Sequence, residues 1–220
     1  MAKQTTVFVC SECGATSPRW LGRCPSCGKF NTMAEEIVAP PAPAAAKAVK
    51  KSAYASSRAK PLSQVEFQTY ERTPSGISEF DNVIGGGIVK GSLILLGGDP
   101  GIGKSTLLTQ IAAHLSQSHK VLYFSAEESC SQVKLRAGRL NVPSGNLLLL
   151  NETCIDGLES ELDGVEFCVI DSIQAVYTED LSSSSGSVGQ VRECASRIMR
   201  IAKSRGITFF IIGHVTKEGA

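Results

Sequence analysis

Hydrophobic positions along the chain fall into two regimes. From Leu62 onward, apolar runs of strand length alternate with longer mixed segments; the runs are Leu93–Leu96, Val121–Phe124, Leu147–Leu150, Phe167–Ile170 and Ile207–Ile212. Near-continuous apolar runs are what a parallel sheet covered on both faces requires, so all five are predicted as buried strands. Between them lie segments of helical period. Residues 105–118 place Leu107, Leu108, Ile111, Ala112 and Leu115 on one stripe, and residues 188–204 place Val191, Ala195, Ile198 and Ile201 on another. The alternation predicts an α/β fold, an open and mostly parallel sheet with right-handed crossovers. Before Leu62 this pattern is absent. A cysteine cluster occupies residues 7–33, and the run of Ala, Pro, Lys and Ser that follows, with Pro40, Pro41 and Pro43, has too few large apolar groups to offset its ordering entropy. The predicted organisation is a small four-cysteine module over 1–33, a flexible linker over 34–61 and an α/β domain over 62–220, within which Ser182–Ser187 reads as a mobile loop.

Composition narrows the class. A chain of 220 residues holds one sizeable α/β domain and something small. Its 42% hydrophobic and 20% charged residues fit a soluble globular protein. No apolar run approaches the roughly 18 residues needed to span a bilayer, and Met1–Thr6 lacks the basic-then-apolar layout of a signal peptide. The expectation is a cytoplasmic protein with no membrane partner. Net charge is only +1, but residues 1–60 carry 9 Lys and Arg against 3 Asp and Glu, while the rest carries 13 against 18. A basic N-terminal end suits a polyanionic partner and equally suits a solvated tail.

The strand at Leu93–Leu96 runs directly into Gly98-Asp99-Pro100-Gly101-Ile102-Gly103-Lys104-Ser105-Thr106, and the amphipathic segment follows. This is GxxxxGK[ST], the Walker A phosphate loop, in the strand-to-helix setting that it requires. Glycines let successive N–H groups turn inward onto phosphate oxygens, and the next helix adds its positive end. Lys104 is placed between the β- and γ-phosphates of ATP, and the Ser105 hydroxyl on Mg²⁺. A carboxylate from a neighbouring strand end completes such a site, and Asp171, just after Phe167–Ile170, is the Walker B candidate; alone it would read equally as a helix cap. Glu127, just past Val121–Phe124, is positioned to orient an attacking water, with Glu128 as its rival. Guanine specificity is disfavoured, because Asp171 is followed by Ser-Ile-Gln without the glycine of a DxxG switch, and Thr216-Lys217-Glu218 lacks the aspartate of a base-reading box. His214, at the end of the last strand, reads either as a sensor of the γ-phosphate or as a histidine hydrogen-bonded at a sheet edge.

Cys10-x₂-Cys13 and Cys24-x₂-Cys27 are two knuckles ten residues apart. Four soft ligands with no open position predict a tetrahedral structural zinc; a redox dithiol would need only one pair. A module this small does not fold without its metal. Phe8, Trp20 and Phe30, beside Arg19, Arg23 and Lys29, are either its small core or a nucleic-acid contact. Cys130, Cys154, Cys168 and Cys194 read as ordinary free thiols.

The zinc knuckles, the Ala/Pro linker, Gly98–Thr106, Ser125-Ala-Glu-Glu-Ser129 and Gly213-His-Val-Thr-Lys-Glu-Gly219 together resemble the RadA (Sms) family of bacterial DNA repair ATPases along essentially the whole chain. That resemblance implies a RecA-like P-loop ATPase core behind a zinc ribbon. It implies a DNA-dependent ATPase that acts on single-stranded or branched DNA, promotes branch migration beside a recombinase, and works as a ring, expected to be a hexamer. By the same match Lys104, Ser105 and Asp171 hold nucleotide and Mg²⁺, Glu127 is the catalytic acid, and the four knuckle cysteines hold zinc. Family members continue with a segment serving hydrolysis and translocation and then a Lon-protease-like domain, so the expectation is that these residues are an N-terminal fragment with an incomplete ATPase domain. Two rival classes stand beside the motor: a small-molecule kinase, and a non-hydrolytic nucleotide switch anchored by the zinc module.

Overall fold

A computed structural model describes residues 5–38, 61–64, 71–140 and 145–214. The N-terminal module is a three-stranded antiparallel sheet of β1 (Thr5–Cys10), β2 (Thr16–Ser17) and β3 (Met33–Val38), with β1 central. Pairing of β1 with β3 runs from Cys10↔Met33 to Thr5↔Val38, so β3 continues five residues past the boundary placed at residue 33. The linker expected over 34–61 otherwise lies outside the described residues except for Pro61, which leads into a 3₁₀ turn at Leu62–Gln64.

The second region opens with β4 (Arg72–Thr73), α1 (Ser78–Val83) and β5 (Ile88–Val89), where β4 and β5 form a two-stranded ribbon. The strands and helices then alternate as β6 (Leu93–Gly98), α2 (Lys104–Leu115), β7 (Val121–Ser125), α3 (Cys130–Arg139) and β8 (Leu147–Asn151). The series closes with α4 (Leu158–Glu161), β9 (Phe167–Asp171), α5 (Val188–Arg205) and β10 (Thr208–His214). The sheet order is β6-β10-β9-β7-β8, and every pairing is parallel.

Alternation of side chains along each strand divides the core in two. Leu122 and Phe124 of β7, Cys168 and Ile170 of β9, and Phe209 and Ile211 of β10 pack with Leu158 and with Cys194, Ile198 and Ile201 of α5. Val121 and Tyr123, Phe167 and Val169, and Phe210 and Ile212 face the other way, onto Leu108, Ile111 and Leu115 of α2 and Val133 of α3. The central strands β7 and β9 are buried at every residue, as predicted. β6 and β8 are not: they are the outer strands of this sheet among the described residues, and Leu95 (64% exposed) and Leu148 (42%) face out. Their uniform apolarity disguised that position.

α3 is the helix that periodicity misses. Only Val133 of it is buried, so its stripe is too thin to register. What starts it is a capping box: Ser129 accepts from the Gln132 N–H while the Gln132 side chain accepts from the Ser129 N–H. The Ser182–Ser187 tract has no regular structure, but it is tethered. Buried Gln190 donates to the carbonyls of Thr178, Leu181 and Ser183, and accepts from the Thr178 N–H.

Candidate functional site

The carboxyl ends of β6, β10, β9 and β7 form one rim, and the residues picked from sequence gather there. The phosphate loop leaves β6 at Gly98, which lies opposite His214 in the β6–β10 register, while Ser125 lies opposite Asp171 in the β7–β9 register. Gly101 and Gly103 carry φ of 80° and 96°, a left-handed backbone that an L side chain rarely adopts, and this lets the loop curl into the first turn of α2. Asp99, Pro100 and Ile102 are exposed on the loop, while Ser105 and Thr106 sit half-buried in that first turn. Lys104 is buried. Its Nζ donates to the carbonyls of Gly98 (2.8 Å) and Asp99 (2.7 Å), which holds an ammonium inside the curl of the loop. No acidic residue occupies the first turn of α2, so its N–H groups and positive end are left to an anion.

Asp171 is 2% exposed and accepts a hydrogen bond from the Tyr123 hydroxyl at 2.6 Å. Burial first, and then the neighbouring Asp171 charge, push the Tyr123 phenol well above its ordinary range, so it stays protonated and donates. Arg136 of α3 stands behind both. Its Nη2 donates to the Tyr123 hydroxyl (3.1 Å) and lies 3.8 Å from the Asp171 carboxylate, its Nε donates to Thr109 Oγ1 (3.0 Å), and its Nη1 pairs with Glu128. Thr109 in turn donates to the Ser105 carbonyl at 2.6 Å. One guanidinium therefore ties the β7–α3 loop, α2 and the Asp171 carboxylate together. Tyr123, Thr109 and Arg136 were not singled out from sequence, since a lone arginine on a polar helix reads as solvent-facing. The capping box at Ser129–Gln132 was the available signal that a helix begins just past Glu128.

The two adjacent glutamates point to different partners. The turn that carries them is fixed by Ser125 Oγ, which donates to the Glu128 carbonyl (2.6 Å), and by Asn151 Nδ2, which donates to the carbonyls of Ser125 (3.0 Å) and Glu128 (3.2 Å). Glu128 turns back to Arg136. Glu127 faces the rim, where it accepts from the Ser172 hydroxyl and lies 3.1 Å from His214 Nε2. The structure thus brings Glu127 and His214 into direct contact, and the His214 carbonyl accepts from Gln174 Nε2 at 3.1 Å. Ser105 and Asp171 offer a hydroxyl and a carboxylate, the hard oxygen donors that suit Mg²⁺.

At the other end of the chain, Cys10, Cys13, Cys24 and Cys27 place their Sγ atoms within 4.8 Å of one another. Cys10 and Cys27 are 3.7 Å apart and Cys13 and Cys24 3.6 Å, close to the roughly 3.8 Å edge of a tetrahedron built on Zn–S bonds of about 2.3 Å. Both knuckles are made alike: the N–H of Gly14 donates to the Cys10 carbonyl (2.8 Å), and that of Gly28 to the Cys24 carbonyl (2.9 Å). Each glycine has positive φ, 70° and 74°, which turns the chain back over the metal position. Burial raises the Cys10 thiol, but the Thr32 hydroxyl and the N–H groups of Glu12 and Cys13 outweigh it and bring it down to about 6, favouring the thiolate. Phe8 packs against Cys10, Cys24 and Met33, whereas Trp20 (55% exposed) and Phe30 (70%) stand outside that core.

A strand, glycine-rich loop and helix aimed at carboxylates on neighbouring strand ends define a P-loop nucleotide-binding domain. The AAA domain family model matches residues 57–220, and that of the Rubredoxin metal binding domain matches residues 8–35. The chain belongs to the AAA domain family, with a zinc ribbon ahead of it. It is similar along its full length to the DNA repair protein RadA of Bacillus subtilis (strain 168), 49% identical over 224 residues that make up 49% of that protein. It is also similar to the RadA proteins of Listeria monocytogenes (48% identical, 48% of that protein) and Halalkalibacterium halodurans (46% identical, 49% of that protein), again over the whole of this chain. The chain thus spans about half the length of the curated relatives it matches. Among the described residues no helix is long and apolar enough to cross a membrane.

Proposed function

We propose that this chain is the ATP-hydrolysing part of a DNA-dependent motor in recombinational repair, one that acts on single-stranded or branched DNA and promotes branch migration. The observation that carries the reading is the meeting of Lys104, Asp171 and Glu127 at one sheet rim, with Glu127 directed away from Arg136 and toward His214. In this reading Gly98–Thr106 cradle the phosphates, and Lys104 exchanges its two loop carbonyls for the β- and γ-phosphates. Ser105 and Asp171 hold Mg²⁺, which when bound neutralises phosphate charge. The Tyr123 hydroxyl donates to the Asp171 carboxylate and fixes its orientation. Glu127 orients the attacking water, and His214, in contact with it, reports the γ-phosphate to the residues that follow β10. Zinc on Cys10, Cys13, Cys24 and Cys27 is structural. A ring, expected to be a hexamer, and a recombinase partner belong to the same reading, supported by the similarity to the RadA proteins.

Glu127→Gln should leave ATP binding within about twofold of wild type and lower turnover by about 10²–10⁴ in the intact protein, where single-stranded DNA should raise the wild-type rate. Lys104→Ala should lose nucleotide affinity itself. Phosphate transfer to an added metabolite faster than to water, or ATP recovered intact after long incubation, would overturn the proposal in favour of a kinase or a switch.

A further inference from the structure

The second zinc knuckle is the turn of a hairpin. Cys24 N–H donates to the Lys29 carbonyl and Asn31 N–H to the Gly22 carbonyl, both at 2.9 Å, and Arg23 pairs with Phe30 across the two arms. One arm begins at Trp20, whose ring lies over Gly22; the other ends at Phe30. Among the described residues these are the exposed large hydrophobic side chains of the ribbon, and neither serves its core, which consists of Cys10, Cys24 and Met33 with Phe8, Leu21 and others against them. Leaving two aromatic rings in water on a module with so little core is costly, which makes their exposure informative.

The cations beside the rings narrow the partner. Arg23 lies over the Phe30 ring, 5.4 Å from its centroid, and its Nε donates to the Gly28 carbonyl at 2.9 Å. Among the described residues neither Arg23 nor Arg19 forms an ion pair with a carboxylate, and both are exposed. Glu12, between the cysteines of the first knuckle, is engaged by Lys29 at 2.5 Å. A hollow of about 470 Å³ lined by Arg23, Cys24, Pro25, Ser26, Cys27 and Gly28 opens on the same hairpin. A surface for docking a protein segment would carry exposed aliphatic side chains beside the rings; this one carries guanidinium groups. Flat π-faces flanked by uncompensated cations match unpaired bases on a phosphate backbone.

We propose that the Trp20–Phe30 hairpin edge of the ribbon is a stacking platform for single-stranded nucleic acid, with Arg19 and Arg23 facing its phosphates. It does not depend on the nucleotide site. Trp20 is the chain's single tryptophan, so its emission reports this edge alone. Titrating the zinc-loaded full chain with a dT15 oligonucleotide at low salt should quench that emission saturably. Phe30→Leu, which keeps apolar bulk but removes the π-face, should weaken binding of labelled dT15 about tenfold, and Arg23→Ala should flatten its salt dependence. Bound zinc, measured by chelator release, should remain one per chain in both variants. Lys104→Ala should lose nucleotide and keep the quenching, so either reading can fail without the other. Unmoved Trp20 emission at saturating dT15, no binding of dT15 at all, or wild-type affinity in the zinc-loaded Phe30→Leu chain, the mark of an apolar protein dock, would each overturn the proposal.

Discussion

The ribbon and the P-loop domain are held together by different means. The P-loop domain buries two apolar layers, one on each face of its sheet, so each strand is fixed by the residues on both sides of it. The ribbon's buried cluster is Cys10, Cys24 and Met33, and two of those three are metal ligands. Apolar burial on that scale cannot offset the entropy of ordering some thirty residues, at roughly 1–2 kcal/mol each for the backbone alone. The comparison teaches where sequence change is tolerated. A core methyl is one contribution among many in the second region, whereas a thiolate in the first decides whether the module exists.

Removing the metal is the strongest way to break that contrast. Structural zinc contributes on the order of 10–16 kcal/mol to such modules, so chelation or Cys24→Ser should abolish hydrogen-exchange protection at the Gly14 and Gly28 amides. The amides of β7 and β9 should keep theirs; loss of both together would show that the two regions fold as one unit. A smaller effect is expected inside the P-loop domain. Arg136→Ala removes the shared partner of Glu128, Tyr123, Thr109 and Asp171, and should lower denaturant stability by about 1–3 kcal/mol. Mg²⁺-dependent nucleotide affinity should fall with it. Arg136→Lys should recover only part, because one ammonium cannot reproduce a fork of donors, and zinc affinity should not change in either variant.

The smallest expected effect is a dependence on pH confined to the same domain. Burial opposes the Asp156 charge, but the Thr178 hydroxyl, the Glu179 N–H and Arg197 outweigh it and hold the carboxyl below its usual range. A depressed carboxyl stabilises the fold above its unfolded value, about 3.9, and that stability is lost as pH falls through the folded value. Asp156→Asn should therefore be less stable than wild type at neutral pH and should lose less between about pH 4 and pH 2, as read by thermal unfolding across that range.

Much of this was legible in sequence, for identifiable reasons. The five strands and the helices α2 and α5 announce themselves because burial demands apolar side chains at fixed spacing. The loop at Gly98–Thr106 and the two knuckles do so because phosphate and metal geometry tolerate few alternatives. α3 was hidden, since one buried valine makes no stripe, and Arg136 with it. Sequence placed Glu127 at the rim with Glu128 as its rival, but not what separates them: Ser125 and Asn151 fix the turn through bonds to the backbone, and no pattern of residue types encodes those. The exposure of Trp20 and Phe30 is similar, because an aromatic residue in a sequence does not declare whether it is inside.

The parallel ladder also acts as a ruler. Gly98 and His214 stand level on β6 and β10, and Asp171 and Ser125 stand level on β9 and β7, each pair separated by about 4.8 Å, the distance between hydrogen-bonded strands. From β6 to β7 is three such steps across the sheet, about 14 Å, and β10 runs two residues further past its pairing with β9 than β9 itself does, which sets the phosphate loop above the level of Asp171. That interval is written in backbone pairing rather than in side chains. Loops at the rim can therefore drift in sequence and length without rescaling the site, whereas a one-residue slip of β9 would displace Asp171 by a whole residue at once.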